Sequence, residues 1–382
     1  MKIAIAHPSL NACGGAELLC ISLMEALKVA GNEVVIFTVE RTDWILLRKI
    51  YGDITHPNKE IYLLPSLPKI PSNILYSIFL LSLYTILLFI LKLRGKCDLV
   101  ISTCGEKIDS IADIVYFNSI PLRCVYSLSN ISVKRKMYGK ALNLFLRIID
   151  FSGKNRLLLV NSKFNRDIIK KILGRKAQIV YPPVNLKKFH PINRRVKSEN
   201  LVVVISRFLP EQNLDYVPVI AKLVPNSKFV MIGPCSTASK NTLRKINELS
   251  RKLGVRDRVK ILVNQPFSKY LNALLAAKVL FRTQPYEPFS MAIVEAMAAG
   301  CVPVVPRCGG PWFDILDREE GKYGYSYGSL KEAAEKIELL LRDEGLRRSI
   351  SLRAAERAEK FDASIFQKKI VDIIERFVRY KH

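Results

Sequence analysis

Two carboxylates, Glu287 and Glu295, stand close together in RTQPYEPFSMAIVEAMAAGCVPVVPRCGGPWFDIL, residues 282–316. A strand-like run leads into a proline-bracketed loop, then a helix from about Ser290 and another strand from Val302. Glu287 falls just before that helix, and Glu295 about a turn and a half inside it. A loop carboxylate can accept hydrogen bonds from sugar hydroxyls, and Glu295 can accept the two hydroxyls of a ribose. The N–H groups of Phe289, Ser290 and Met291 are unpaired at a helix start, where they and the helix dipole face phosphate or sugar oxygens. On pattern alone, the ordinary reading of a helix with one Glu is a solvated face.

Two further segments could meet an anion. In VVVISRFLPEQN, residues 202–213, Arg207 emerges at the carboxyl end of a strand. A guanidinium there can clamp two phosphate oxygens, or else pair with Glu211 at the surface. In HPSLNACGGAELL, residues 7–19, a strand ends at His7 and Gly14-Gly15 opens a helix. Glycines allow close approach of a ligand and the helix start offers N–H groups, although a plain strand-to-helix turn looks the same. The histidines are His7, His56, His190 and His382. Of these only His7 ends a strand, and a catalytic role for it is a minor reading.

The elements that position these groups alternate. Apolar runs occur at Lys2–His7, Glu33–Val39, Glu60–Leu64, Asp98–Thr103, Ile114–Asn118 and Arg156–Asn161. A second series is Leu201–Phe208, Lys228–Gly233, Val259–Val263, Val279–Thr283 and Val302–Pro306. Helical periods separate them, as at Ala16–Val29, Thr242–Leu253 and Leu330–Arg342. Continuous apolar strands with helical crossovers indicate parallel sheets covered on both faces. The expectation is an α/β chain of two Rossmann-like, doubly wound domains facing across a cleft that holds the ligand. The proline- and charge-rich stretch at residues 181–200 marks the boundary. This gives an N-terminal domain over 1–185, a C-terminal domain over 186–361 and a final helix over 362–382 that can pack back on the first domain.

The net charge is +26 over 382 residues. No Asp or Glu occurs between Glu60 and Asp98, between Asp113 and Asp150, or between Asp167 and Glu199. These stretches hold Lys92, Arg94 and Lys96, then Lys134, Arg135, Lys136, Lys140 and Arg147. Such a balance suits an anionic membrane surface or a phosphorylated substrate, or only keeps the surface soluble. No zinc finger, RNA-recognition aromatic pattern or helix-turn-helix supports nucleic acid as the partner. None of the eight cysteines forms a Cys-x-x-Cys pair, and no signal peptide is apparent, which argues against secretion and structural zinc. Ile74–Leu93 is apolar and long enough to be considered as a membrane span. Its place as the crossover between two strands favours instead a helix with one face on the sheet and one in the membrane interface. A wholly buried crossover is the next reading. The basic LKLRGK after it suits anionic head groups.

These segments together resemble the retaining glycosyltransferase family 4, a group with the two-domain GT-B fold. EPFSMAIVEAMAAGCVPVV is similar to that family's signature of two glutamates with seven residues between. GGPWFDIL resembles archaeal members and the mannosyltransferases that extend dolichol-linked oligosaccharides. VNSKFNRDIIKK, VYPPVN, SRFLPEQN and GGAE follow the family's other segments, so the likeness runs in order along nearly the whole chain. It implies that Glu287 contacts a donor sugar, Glu295 the ribose and Arg207 the diphosphate, with Gly14 and Gly15 against the donor phosphates. Two positions depart from the pattern: Gln212 stands where the family has a Lys, and Asn118, in VYFNSIP, where it commonly has a His. Asn can orient a hydroxyl but cannot be a general base. The resemblance implies retaining transfer of a hexose, mannose or glucose, from a GDP- or UDP-linked sugar. The Ile74–Leu93 helix and the acid-free basic stretches lead to the expectation that the acceptor is a lipid-linked glycan at the cytoplasmic membrane face, reached by peripheral association. No Asp-x-Asp occurs, and neither a cofactor nor an essential metal is expected. The alternative is a glycosyltransferase-like protein that binds nucleotide sugar without turnover.

Overall fold

A computed structural model describes residues 1–68, 73–94, 97–104, 112–120, 156–189, 200–235 and 237–381. The chain divides into two units, Met1–Pro183 with Ser364–His382, and Val184–Ala363.

The first unit is built on strands β1 (Lys2–Ala6), β2 (Glu33–Glu40), β3 (Lys59–Leu64), β4 (Leu99–Ser102), β5 (Ile114–Phe117), β6 (Leu157–Val160) and β7 (Gln178–Ile179). Their order is β3-β2-β1-β4-β5-β6-β7, with parallel pairing throughout. Direction of winding reverses between β1 and β4, which leaves a crevice at the carboxyl ends of those strands. Helices α1 (Gly15–Val29), α2 (Trp44–Tyr51), α3 (Asn73–Arg94) and α4 (Lys163–Leu173) cover the faces. Alternate strand residues feed two cores. Ile3, Ile5, Val34 and Ile101 pack with α1, while Ala4, Val35, Phe37 and Val100 pack with α3.

Helix α3 confirms one face on the sheet. Tyr84, Leu87, Leu88 and Leu91 are buried, and the Tyr84 hydroxyl bonds Ser102 Oγ at 2.7 Å and donates to the Ala6 carbonyl at 3.2 Å. The other face carries Ile86 and Phe89, 51% and 56% exposed. It is therefore not a wholly buried crossover. Among the described residues no helix is long and apolar enough to cross a membrane. The basic groups Lys96, Lys134, Arg135, Lys136, Lys140 and Arg147, and the side chains of Lys92 and Arg94, lie outside the described residues.

The second unit holds β8 (Leu201–Ile205), β9 (Lys228–Gly233), β10 (Val259–Val263), β11 (Val279–Phe281), β12 (Val302–Pro306) and β13 (Tyr325–Tyr327), ordered β10-β9-β8-β11-β12-β13. All its pairs are parallel, and the winding reverses between β8 and β11. Its helices are α5 (Tyr216–Leu223), α6 (Lys240–Lys252), α7 (Phe267–Ala276), α8 (Met291–Ala298), α9 (Leu330–Arg342) and α10 (Glu344–Ala358). The last helix, α11 (Ala363–Lys381), returns to the first unit. There Phe366, Ile370, Ile373 and Ile374 join the core beside α1.

Candidate functional site

In the second unit the chemistry-bearing residues gather at the switch point, the carboxyl edge of β8 and β11. The Arg282 N–H still donates to Val304 O at 2.9 Å, so its backbone belongs to the sheet while its side chain reaches the edge. Its Nε donates to Glu287 Oε2 at 2.7 Å and its Nη2 to Glu287 Oε1 at 2.8 Å. The same guanidinium donates to Ile205 O at 2.5 Å, Gln284 Oε1 at 2.8 Å and Gln212 Oε1 at 3.3 Å. Side-chain exposure is 8% for Arg282 and 17% for Glu287, so this fork-to-fork pair is shielded from water. Burial pushes the Glu287 carboxyl up from its ordinary range. The charge and hydrogen bonds of Arg282, the Ser290 hydroxyl and the charge of Arg207 act against that rise.

The loop that carries Glu287 is shaped by its neighbours. Tyr286 adopts a positive φ of 54° just before it. The Gly310 N–H donates to Glu287 O at 2.7 Å, and a Cβ on Gly310 would stand 1.9 Å from Pro288 O. A Cβ on Gly309, whose φ is +76°, would meet Glu287 O at 2.8 Å. The two glycines after β12 thus let one backbone lie flat against the other. Ser290 caps α8 and is buried; Phe289 packs its ring against Phe361 at 5.3 Å, so only its backbone can face a ligand. Met291 opens the helix, half-buried.

Glu295 lies on α8 with the Tyr270 hydroxyl donating to its Oε2. Burial raises its carboxyl, opposed by Tyr270 and by the charge of Lys188. Tyr270 joins Phe189 and Phe267 in a cluster with centroids 5.8–6.4 Å apart, and Lys188 Nζ lies 5.8 Å from the Phe267 centroid. Arg207 is exposed on the loop after β8. Gln212, by contrast, is buried, and its Oε1 accepts from Ser206 Oγ at 2.7 Å as well as from Arg282. Its side chain therefore faces the interior hub.

In the first unit, His7 is buried at the end of β1, with Nδ1 2.7 Å from Thr103 Oγ1 and Nε2 3.5 Å from Glu17 Oε1. The other Glu17 oxygen accepts the Gly14 N–H at 2.7 Å. Gly14 and Gly15 do open α1, but the Gly14 amide already has an acceptor. Despite burial, the Glu17 carboxyl is held below its ordinary range by His7 and by the backbone N–H groups of Glu17 and Gly14. Asn118 follows β5 and donates from Nδ2 to Thr103 O at 3.2 Å.

The structure thus brings together Glu287, Glu295, Ser290, Arg207 and Gln212 on one unit, and His7, Gly14, Gly15 and Asn118 on the other. Arg282, Tyr270 and Glu17 escape sequence reasoning. Glu17 alone had a signal, three residues past Gly14 at the start of α1. Arg282 and Tyr270 sit in ordinary strand and helix positions.

Comparison with known proteins agrees with this architecture. Residues 186–357 match the family described as Glycosyl transferases group 1. The chain is 28% identical over 241 residues to the GDP-Man:Man(3)GlcNAc(2)-PP-Dol alpha-1,2-mannosyltransferase of Homo sapiens, covering 58% of this chain and 49% of that protein. The chain so spans about half the length of these first curated relatives. It is 22% identical to alpha-1,3/1,6-mannosyltransferase ALG2 of Dictyostelium discoideum across 98% of both chains. Sucrose-phosphate synthase from Thermosynechococcus elongatus superposes with a TM-score of 0.79 at 17% identity, over 100% of both chains. Anabaena HepE in complex with UDP does so with 0.74 at 16% identity, over 98% of this chain and 100% of that one. These structures share the fold, two parallel-sheet Rossmann-like units of the GT-B kind.

Proposed function

From the premise that residues 186–357 belong to the group 1 glycosyltransferases, we propose that this chain transfers mannose from GDP-mannose to a lipid-linked glycan, with retention at the anomeric carbon. The observation that carries this reading is the placement of Glu287 directly before α8, with Glu295 on the same helix and Arg207 exposed at the neighbouring strand end. Glu287 would hold hydroxyls of the donor sugar, Glu295 the ribose, and Arg207 with the start of α8 the diphosphate. The curated relatives named as GDP-mannose-dependent enzymes acting on dolichol-linked glycans support the choice of sugar, base and acceptor.

In the reaction the acceptor oxygen bonds to the anomeric carbon on the face from which the nucleotide departs, as the bond from that carbon to the phosphate oxygen breaks. The acceptor proton passes to an oxygen of the leaving diphosphate. No side-chain base is then required, which suits Asn118 and its carbonyl-directed amide. Catalysis consists of positioning and of stabilising charge on the diphosphate. With cations and helix-start amides meeting that charge, transfer needs no metal, and activity in excess chelator should equal that in buffer.

The first unit takes the acceptor side, at the cytoplasmic face of a membrane. The motive is the exposed Ile86–Phe89 face of α3 together with the charge of +26. The test is transfer from GDP-mannose, UDP-glucose and other nucleotide sugars to a lipid-diphosphate glycan, with the product anomer read by NMR. Glu287→Ala should remove most transfer yet keep part of the nucleotide-induced thermal shift. A ligand at 100 times its Kd stabilises by about 2.7 kcal/mol. Undiminished turnover in Glu287→Ala overturns the site. A shift with GDP-mannose but no product from any acceptor favours the second reading, a binding protein without turnover, which Gln212 and Asn118 motivate.

A further inference from the structure

Arg282 has no part in the chemistry above, yet it is the most heavily bonded side chain at the switch point. Its donors reach three separate segments: the last carbonyl of β8, the turn holding Gln212, and its own loop at Gln284 and Glu287. A guanidinium that donates to protein acceptors from all three of its nitrogens is built into the scaffold and does not serve a ligand directly. Both oxygens of Glu287 are engaged by it, so the carboxylate has one orientation. An ammonium, with three donors splayed from one nitrogen, cannot span the five acceptors that the planar fork reaches from three.

Charge placement adds to the geometry. Arg282 and Arg207 are the cations that act on Glu287. With Arg282 absent, Arg207 would be the remaining partner of a half-buried carboxylate. Gln212 explains itself in the same frame. Its Oε1 lies 3.3 Å from the guanidinium, so a Lys at that position would set a second positive charge against the first. One cation fits in this hub, and it stands directly after β11.

We propose that Arg282 is the positioning residue of the donor site: it fixes the Glu287 carboxylate at the switch point and leaves Arg207 to the diphosphate. This rests on the donor-site reading given above. The groups facing the Glu287 carboxylate are then Arg282 from directly after β11, Arg207 from the loop after β8, and the Ser290 hydroxyl from the start of α8.

The experiment uses the full chain, GDP-mannose and a lipid-diphosphate glycan. Arg282→Gln should lower kcat about 100-fold, the scale of a misplaced reacting geometry, with a smaller change in KM. The acid limb of kcat/KM should move to higher pH, because a buried carboxylate without its cation holds a proton more firmly. Arg282→Lys should fall between, and it carries the test if the Gln variant does not fold. Adding Gln212→Lys to Arg282→Gln should recover about 10-fold of the loss by returning one charge to the hub. In a Glu287→Gln background Arg282→Gln should cost little more. Wild-type kcat and an unmoved acid limb in Arg282→Gln or Arg282→Lys overturn the proposal. So does loss of activity with no limb shift and no recovery in the exchange variant, the mark of a merely structural role. Failure of the wild-type chain to transfer from any donor instead overturns the donor-site reading on which the proposal rests.

Discussion

A methyl group on Gly310 would stand 1.9 Å from Pro288 O, a backbone atom that cannot swing aside. Gly310→Ala must therefore push the Glu287 loop away from the turn after β12. It should cost about 1–3 kcal/mol in urea unfolding and remove most transfer. Gly31→Ala is the control: nothing lies within 4 Å of that Cβ, and only its φ of +81° opposes the change, at about 1 kcal/mol and with transfer intact. Glu17 gives a pH signature. Its folded carboxyl lies below the ordinary 4.5, so its contribution is complete above that value and is lost as pH falls through the folded pKa. Urea melts should show Glu17→Gln weaker than wild type by about 1–3 kcal/mol at pH 7, with the gap closing as pH drops below 4.5. At this scale the sequence told which groups could meet a ligand and little about what holds them. Glu287, Glu295 and Arg207 stand out because their segments follow one family's pattern in order along the chain; on local pattern alone a solvated face and a surface ion pair explain them as well. Arg282 and Tyr270 act through contacts made only when β8, β11 and α7 converge, and no local spacing records that. Gln212 reads as a weakened ligand contact in sequence and as an interior acceptor in three dimensions.

Elements were more legible than contacts, since burial on both faces imposes continuous apolar runs. Val259–Val263 and Val302–Pro306 carry the bounds expected of them, while β1, β4 and β6 each end one residue early, although the His7 and Thr103 N–H groups still donate to Phe37 O and Ala6 O beside them. Strands β7 and β13 were missed. Each is only two or three residues long at the end of its sheet, too short to show a period. Helix α11 shows another case: the sequence offers the first domain as a place for a final helix over 362–382 but names none of the contacts made there. Ile370 and Ile374 are 1% exposed in the core of the first unit. Ile370→Ala should cost about 2–5 kcal/mol. The loss should appear in an unfolding transition of the first unit, followed through Trp44 fluorescence. A melt unchanged by Ile370→Ala would mean that α11 does not complete that core in solution.

For the whole molecule, +26 is a long-range term and the exposed face of α3 a short-range one, so they should separate experimentally. Net charge raises the local concentration of protein at an anionic bilayer and fades with screening, whose length is about 10 Å at 0.1 M salt and about 3 Å at 1 M. Apolar insertion of Ile86 and Phe89 is insensitive to salt but stops when either position is charged. Sedimentation with phosphatidylglycerol vesicles should show binding that weakens steeply from about 0.1 M to about 1 M salt, while neutral phosphatidylcholine vesicles bind far less. Charging the apolar face, by Ile86→Asp with Phe89→Asp, should weaken binding at every salt concentration and leave the salt slope nearly as it was. Both sites are more than half exposed, so the melt should hardly move. Equal binding by wild type and the double variant would assign the attraction to charge alone and remove α3 from the interface. Equal binding to neutral and anionic vesicles would do the opposite and leave the charge without a membrane role.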